Sequence, residues 1–182
     1  NGLSTIGVSV AKESSPTLIF LGAIAKDKGI EDALTVFSLL SQTSPKWRFW
    51  VVGKGEEKYL KSLHAPPNVK FWGFVSEDKK FELLAKAWVM INPSRREGWS
   101  LVNIEANSVG TPVVAYDVPG CRDSIVDNRT GFLCSQGDIG CLVDKIDRLV
   151  KDRRLYKQIA TRAKEWSRNF SWSKSTQASL RL

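Results

Sequence analysis

Short apolar runs alternate with amphipathic stretches along most of the chain. Thr17-Leu18-Ile19-Phe20-Leu21, closed by Gly22, reads as a buried strand. Ile30, Leu34, Phe37 and Leu40 follow at helical spacing. Trp47-Arg48-Phe49-Trp50-Val51-Val52 predicts a second strand, ended by Gly53-Lys54-Gly55, and residues 56–63 a helix. Asn68-Val69-Lys70-Phe71-Trp72-Gly73 predicts a third strand, and residues 77–87 a helix with Phe81, Leu84 and Ala85 inward. Val89-Met90-Ile91-Asn92-Pro93 is a fourth strand, and the helix over 100–109 stops at Gly110, a C′ glycine. Pro112-Val113-Val114-Ala115-Tyr116 and Gly131-Phe132-Leu133 are the fifth and sixth strands. Two basic helices, about 139–150 and 153–168, come next, with a last helix starting near Ser171 or Ser173.

This alternation predicts an α/β fold: a doubly wound, Rossmann-like parallel sheet of about six strands with helices on both faces. Ligands of such sheets lie beyond the carboxyl ends of the strands, so the loops there are where chemistry is expected.

Composition narrows the class. With 182 residues and 42% hydrophobic content, the chain suits one globular domain. It has no apolar run near the roughly 20 residues a membrane helix needs, and its first residues lack the pattern of a signal peptide. Cys121, Cys134 and Cys141 have no metal spacing and are expected as buried thiols of a cytoplasmic protein. One histidine, His64, argues against a His/Cys metal site, and no metal is expected. The net charge of +8 favours anionic partners. Residues 145–168 alone carry nine Lys or Arg against three Asp or Glu. A solvated helix face accounts for that stretch; an anionic membrane surface, at the inner face of the membrane, is the sharper reading.

Three loops carry candidate chemistry. After the first strand, Gly22-Ala23-Ile24-Ala25-Lys26-Asp27-Lys28-Gly29 sets glycines and lysines beside a helix start, suited to phosphate. The Gly53-Lys54-Gly55 loop lets backbone approach a ligand closely, but lacks the third glycine of a dinucleotide fingerprint. After the fourth strand comes Arg96-Glu97-Gly98-Trp99-Ser100-Leu101. Backbone N–H groups of Gly98, Trp99, Ser100 and Leu101 at a helix start would cradle a diphosphate. Glu97 precedes that helix and Glu105 lies within it, so the two carboxylates can reach different ends of an elongated ligand.

The run Glu97-Gly98-Trp99-Ser100-Leu101-Val102-Asn103-Ile104-Glu105 resembles the Glu-x7-Glu motif of group 1 (family 4) retaining glycosyltransferases. Leu21-Gly22 with Lys28-Gly29, Val51-Val52-Gly53-Lys54-Gly55, Asn68 to Val75, Gly110 to Ala115 and Thr130 to Leu133 resemble further family segments in the same order. The resemblance covers about 16–172 and implies the carboxyl-terminal half of a two-domain GT-B enzyme. It divides the chain into an interdomain linker remnant (1–15), a donor-binding domain (16–170) and a helix (171–182) crossing back to an amino-terminal acceptor domain.

The resemblance implies transfer of a sugar, with retention, from a nucleoside diphosphate sugar to a glycan or lipid-linked acceptor. Glu97 would lie by the donor sugar and Lys28 would stabilise the leaving phosphate. Glu105 would bind the ribose, and Trp99, Ser100 and Leu101 the diphosphate. Phe74 and Val75 would border the base. The donor is a substrate; no cofactor or metal is implied. Without the amino-terminal half, the domain is expected to transfer no sugar. Two positions depart from the pattern: Ala23 stands where the family carries arginine, and Asp123 where glutamate is usual. Ala23 leaves an alternative, a catalytically degenerate nucleotide-sugar-binding or regulatory module. A nucleic-acid-binding domain is disfavoured, because Trp47, Trp50, Trp72 and Trp88 fall in or beside strands, where core packing is expected.

Overall fold

The computed structural model describes residues 10–170. Six strands form one fully parallel sheet: β1 (Thr17–Leu21), β2 (Arg48–Val52), β3 (Val69–Gly73), β4 (Val89–Asn92), β5 (Val113–Tyr116) and β6 (Gly131–Cys134). Their spatial order is β3-β2-β1-β4-β5-β6. The winding reverses between β1 and β4, where Leu18 pairs with Val89 and Ile19 with Met90. The Rossmann-like sheet expected from the apolar runs is therefore present, and its crevice lies after β1 and β4.

The helices are α1 (Ile30–Thr43), α2 (Glu57–Ser62), α3 (Glu77–Lys86), α4 (Leu101–Ser108), α5 (Pro119–Ser124), α6 (Ile139–Lys151) and α7 (Arg153–Ser167). α1 packs with α6, while α3 and α7 pack with α4, so both sheet faces are covered. Central strands covered on both faces must be apolar throughout. In β4 and β5 every residue is buried, whereas the edge strand β3 has only half-buried and exposed positions. Phe37, Phe49, Phe132, Leu40 and Tyr116 are among the fully buried side chains. Each such burial contributes about 1.5–3 kcal/mol.

Local chemistry sets the helix starts. Ser76 caps α3 through Lys79 N, Asp138 caps α6 through Cys141 N, and Asp152 caps α7 through Arg154 N and Leu155 N. The short helix α5 is absent from the sequence reading; Pro119 at its first position was its start signal. The helix expected near Ser171 lies outside the described residues.

Lys12 and Glu13, within the expected linker of residues 1–15, are bonded to the sheet's amino-terminal edge. Glu13 N donates to Lys86 O, Trp88 Nε1 donates to Glu13 O, and the half-buried Lys12 ammonium donates to Ala87 O and Thr111 Oγ1. Burial lowers the Lys12 pKa to about 7.

The cysteine expectation is corrected. Cys134 and Cys141 form a disulfide; only Cys121 is a free thiol among the described residues. The chain folds back between the end of β6 and the first turn of α6, bringing the two α-carbons within 5.8 Å. Linear spacing gives no sign of that reversal. Cys121 is buried, and burial pushes its pKa up to about 12, so it is an inert core thiol.

The tryptophans follow the core-packing expectation in part. Trp47, Trp50 and Trp88 are buried. Trp72, on the edge strand, is half-buried and is covered by the ammoniums of Lys70 and Lys79, 3.5 and 5.3 Å from its ring centre.

Candidate functional site

A cavity of about 220 Å³ opens at the carboxyl ends of β1 and β4, lined by Gly22, Ala23, Lys28, Glu97, Trp99, Ser100 and Leu101 among others. It sits where the winding reverses, as the sheet topology requires. Of the residues singled out in the sequence, Gly22, Lys28, Glu97, Trp99, Ser100 and Leu101 converge on it.

The glycines shape its floor. A Cβ on Gly53 would stand 1.8 Å from the Gly22 carbonyl oxygen, and φ at the two glycines is +144° and +149°. The loops after β1 and β2 thus cross with backbone against backbone, which L side chains forbid. Gly53 and Gly55 support this floor and do not line the cavity; Gly55 bridges to Ile24. Gly29 leads into α1 at φ +73°, and a Cβ there would meet Pro93 O at 2.0 Å. That contact sets the turn carrying Lys28 directly on the loop after β4.

The Glu97 loop is held from both sides. Arg95 N donates to Asp27 O at 2.9 Å, and Gly120 N donates to Glu97 O at 3.2 Å. Between these anchors Lys28 Nζ and Glu97 Oε1 meet at 3.0 Å, with the side chains 29% and 15% exposed. Cation and carboxylate therefore share one partly sheltered wall, and an anionic ligand would compete with Glu97 for Lys28.

The diphosphate cradle differs in detail from the expectation. α4 begins at Leu101, and Leu101 N donates to Trp99 O at 3.0 Å, so that amide is used. The amides of Gly98, Trp99 and Ser100 have no acceptor among the described residues. Three of the four expected donors stay open. Below them is a buried polar network that the sequence reading missed. Asn92 Nδ2 donates to Ser100 Oγ and Asn103 Oδ1, each at 2.9 Å, and Asn103 Nδ2 donates to Ser124 Oγ at 2.9 Å. It ties β4, α4 and α5 together under the loop. Asn at the end of an apolar strand was its one visible signal.

Glu105 lies one helical turn beyond Leu101, on the same face of α4. Its Oε1 pairs with Lys80 Nζ at 2.7 Å, while its Oε2 is buried without a partner. Phe74 is 74% exposed beyond the cavity, with the Lys54 ammonium 4.6 Å over its ring; Val75 follows, half-buried. These two residues sit on the β3–α3 loop, beside the glycine floor and outside the cavity itself.

Comparison with known proteins agrees with this geometry. The family Glycosyl transferases group 1 matches residues 5–166. The chain is 32% identical over 158 residues to N-acetyl-alpha-D-glucosaminyl L-malate synthase of Bacillus anthracis, covering 84% of this chain and 41% of that protein. It is 31% identical over 147 residues to the capsular polysaccharide biosynthesis glycosyltransferase CapM of Staphylococcus aureus, covering 77% and 38%. The structure of Anabaena Alr3699/HepE in complex with UDP-glucose superposes with a TM-score of 0.77 at 25% identity, covering 85% of this chain and 44% of that one. The chain thus spans about two fifths of the curated relatives it matches. With the Rossmann-like sheet, the cavity at its crossover and the match over 5–166, the chain belongs to the group 1 glycosyltransferases and is a domain of their carboxyl-terminal type.

Proposed function

We propose that this domain binds the donor of a retaining glycosyltransferase, a nucleoside diphosphate sugar whose sugar passes to a glycan or lipid-linked acceptor held by an amino-terminal domain. The Lys28–Glu97 pair at the mouth of the crossover cavity carries the reading. The open amides of Gly98, Trp99 and Ser100 receive the diphosphate, and Lys28 leaves Glu97 to neutralise it. Glu97 stays beside the sugar. The sugar C1–oxygen bond breaks with its electrons going to the phosphate. The acceptor oxygen attacks the same face, and its proton passes to the departing phosphate oxygen. Lys28 offsets the charge that builds there, with no metal ion assigned. Glu105 accepts from the ribose, and Phe74 and Val75 border the base, here taken as uracil on the likeness to the UDP-glucose complex.

Trp99 and Leu101 of the cavity wall are 45% and 54% exposed, and Phe74 beyond it is 74% exposed. Apolar side chains so placed suit closure by the acceptor domain, which shelters the reaction from water. We place the protein on an anionic membrane surface, resting on α7.

A thermal-shift panel of UDP, ADP, GDP and UDP-glucose tests the reading. At least one ligand should raise Tm by binding only the folded state. No shift from any of them at millimolar concentration overturns it.

Ala23 favours a second reading, because it lines the cavity where the family resemblance sets an arginine. A degenerate module would bind UDP-glucose without cleaving it. Slow donor hydrolysis by the longer protein, lost in Lys28→Met, would decide for the enzyme.

A further inference from the structure

We propose that Lys80 is a positioning residue that holds Glu105 for the ribose, and so sets the preference for a nucleotide bearing ribose hydroxyls; this rests on the donor-site reading above. α3 carries three lysines with carboxylate partners, and Lys80 is the sheltered one. Its side chain is 14% exposed, against 37% for Lys79 and 36% for Lys86. Lys79 and Lys86 pair within α3, both with Glu82. Lys80 also reaches out of its helix, to Glu105 on α4 at 2.7 Å, while holding Glu77 at 2.8 Å. Burial alone would lower the Lys80 pKa, but the hydrogen bonds to Glu105 and Glu77 raise it, so the ammonium stays charged.

The result is a carboxylate with unequal oxygens. Glu105 Oε1 is taken by Lys80, and Oε2 is buried with no partner. A buried carboxylate oxygen without a donor is costly unless a ligand supplies one. Glu105 shares a helix face with Leu101 of the cavity wall, one turn further into α4, and does not itself line the cavity. Lys80 stands one turn into α3, which Ser76 caps directly after Phe74 and Val75. One ammonium therefore joins the loop that borders the base to the carboxylate that takes the ribose. Without it, Glu105 loses the bond that fixes its rotamer.

The experiment is calorimetric titration of the chain with UDP and with 2′,3′-dideoxy-UDP. Wild type should prefer UDP by at least about tenfold, the range of a hydrogen bond to a charged group. Lys80→Met should lose about tenfold in UDP affinity, hold its affinity for the dideoxy analogue, and so bring the two together. Lys80→Arg should restore most of the preference. Glu105→Gln should abolish it, and adding Lys80→Met to Glu105→Gln should cost little more, since both act through one contact. Equal weakening of both ligands by Lys80→Met, or an unchanged preference, overturns the assignment. Should Lys80→Met fail to fold, Lys80→Gln and Lys80→Arg give the same ratio test. Failure of wild type to bind UDP, ADP or GDP overturns the donor-site reading itself, a result distinct from an unchanged preference.

Discussion

At the scale of single residues, two lysines differ by their surroundings. Lys28 is partly exposed beside Glu97 and free to change partners. Lys28→Met should weaken UDP binding by about 1.5–3 kcal/mol, the range of a charge-assisted hydrogen bond, with little change in Tm of the ligand-free chain. Unaltered UDP affinity by calorimetry would remove Lys28 from the site. Lys12 is enclosed, bonded to neutral oxygens, and its pKa falls to about 7 from the usual 10.5. A base whose pKa drops on folding opposes folding while protonated. Between pH 7 and 10.5 the unfolded chain holds the extra proton, so stability rises with pH across that window. Lys12→Met lacks this slope. Any stability it gains over wild type at pH 7 should shrink by about 3–4 kcal/mol at pH 10 in urea unfolding. Parallel pH dependences of the two proteins would show that Lys12 is hydrated.

At the scale of elements, loops placed by the sheet make the site, and glycine decides whether they can meet. Gly53→Ala would thrust a methyl group to 1.8 Å from the Gly22 carbonyl oxygen at φ +144°. Backbone on both sides leaves nothing to yield, so the β1 and β2 loops must part. We expect a loss of more than about 2 kcal/mol in stability and of UDP binding together. Gly98→Ala has open space around its Cβ and should be tolerated in stability. A Gly53→Ala protein with native Tm would contradict the crossing of the loops. Much of this layout was legible in the sequence, because strands covered on both faces must be apolar runs and glycines punctuate them. What escaped were relations between distant residues. The Asn92-Asn103-Ser124 network looks, along the chain, like three scattered polar residues in apolar elements. The Cys134–Cys141 bond needs a reversal that spacing does not encode. Lys80 looks like any surface lysine of an amphipathic helix until α3 packs on α4. Asn103→Leu should test the network: it leaves the Asn92 amide and the Ser124 hydroxyl short of a partner. It should cost about 1–3 kcal/mol in unfolding experiments.

At the scale of the whole molecule, the net charge of +8 is unevenly shared. Lys61 of α2, Lys79 and Lys86 of α3 and Lys151 of α6 pair with carboxylates on their own helices. Arg153, Arg154, Lys157, Arg162, Lys164 and Arg168 of α7 and its end are exposed and make no ion pair among the described residues. The undescribed residues 1–9 and 171–182 contain no Asp or Glu to pair with them. The Arg153 guanidinium stacks over the buried Trp88 ring at 4.3 Å, but at 3.6 residues per turn Lys157, Lys164 and Arg168 fall within about 40° of the helix circumference, on a ridge about 17 Å long. Tyr156, Ile159 and Ala163 face the core, so no apolar side is left to insert into lipid. A cationic ridge without an apolar flank suits an anionic bilayer held by charge alone. The ridge also leads to the donor mouth: Phe170, at its end, packs against Trp99 with ring centres 5.3 Å apart. A domain resting on α7 would hold its mouth close to lipid-linked acceptors. At about 1 kcal/mol per basic residue near such a surface, these three cations suffice for weak, reversible binding. The chain should therefore sediment with vesicles containing phosphatidylglycerol but not with pure phosphatidylcholine, and should be released by salt as screening shortens. Lys157→Glu with Lys164→Glu should abolish sedimentation while leaving the UDP thermal shift intact. Equal binding by that double variant would move the contact off α7, and no binding of wild type at low salt would reject the membrane placement.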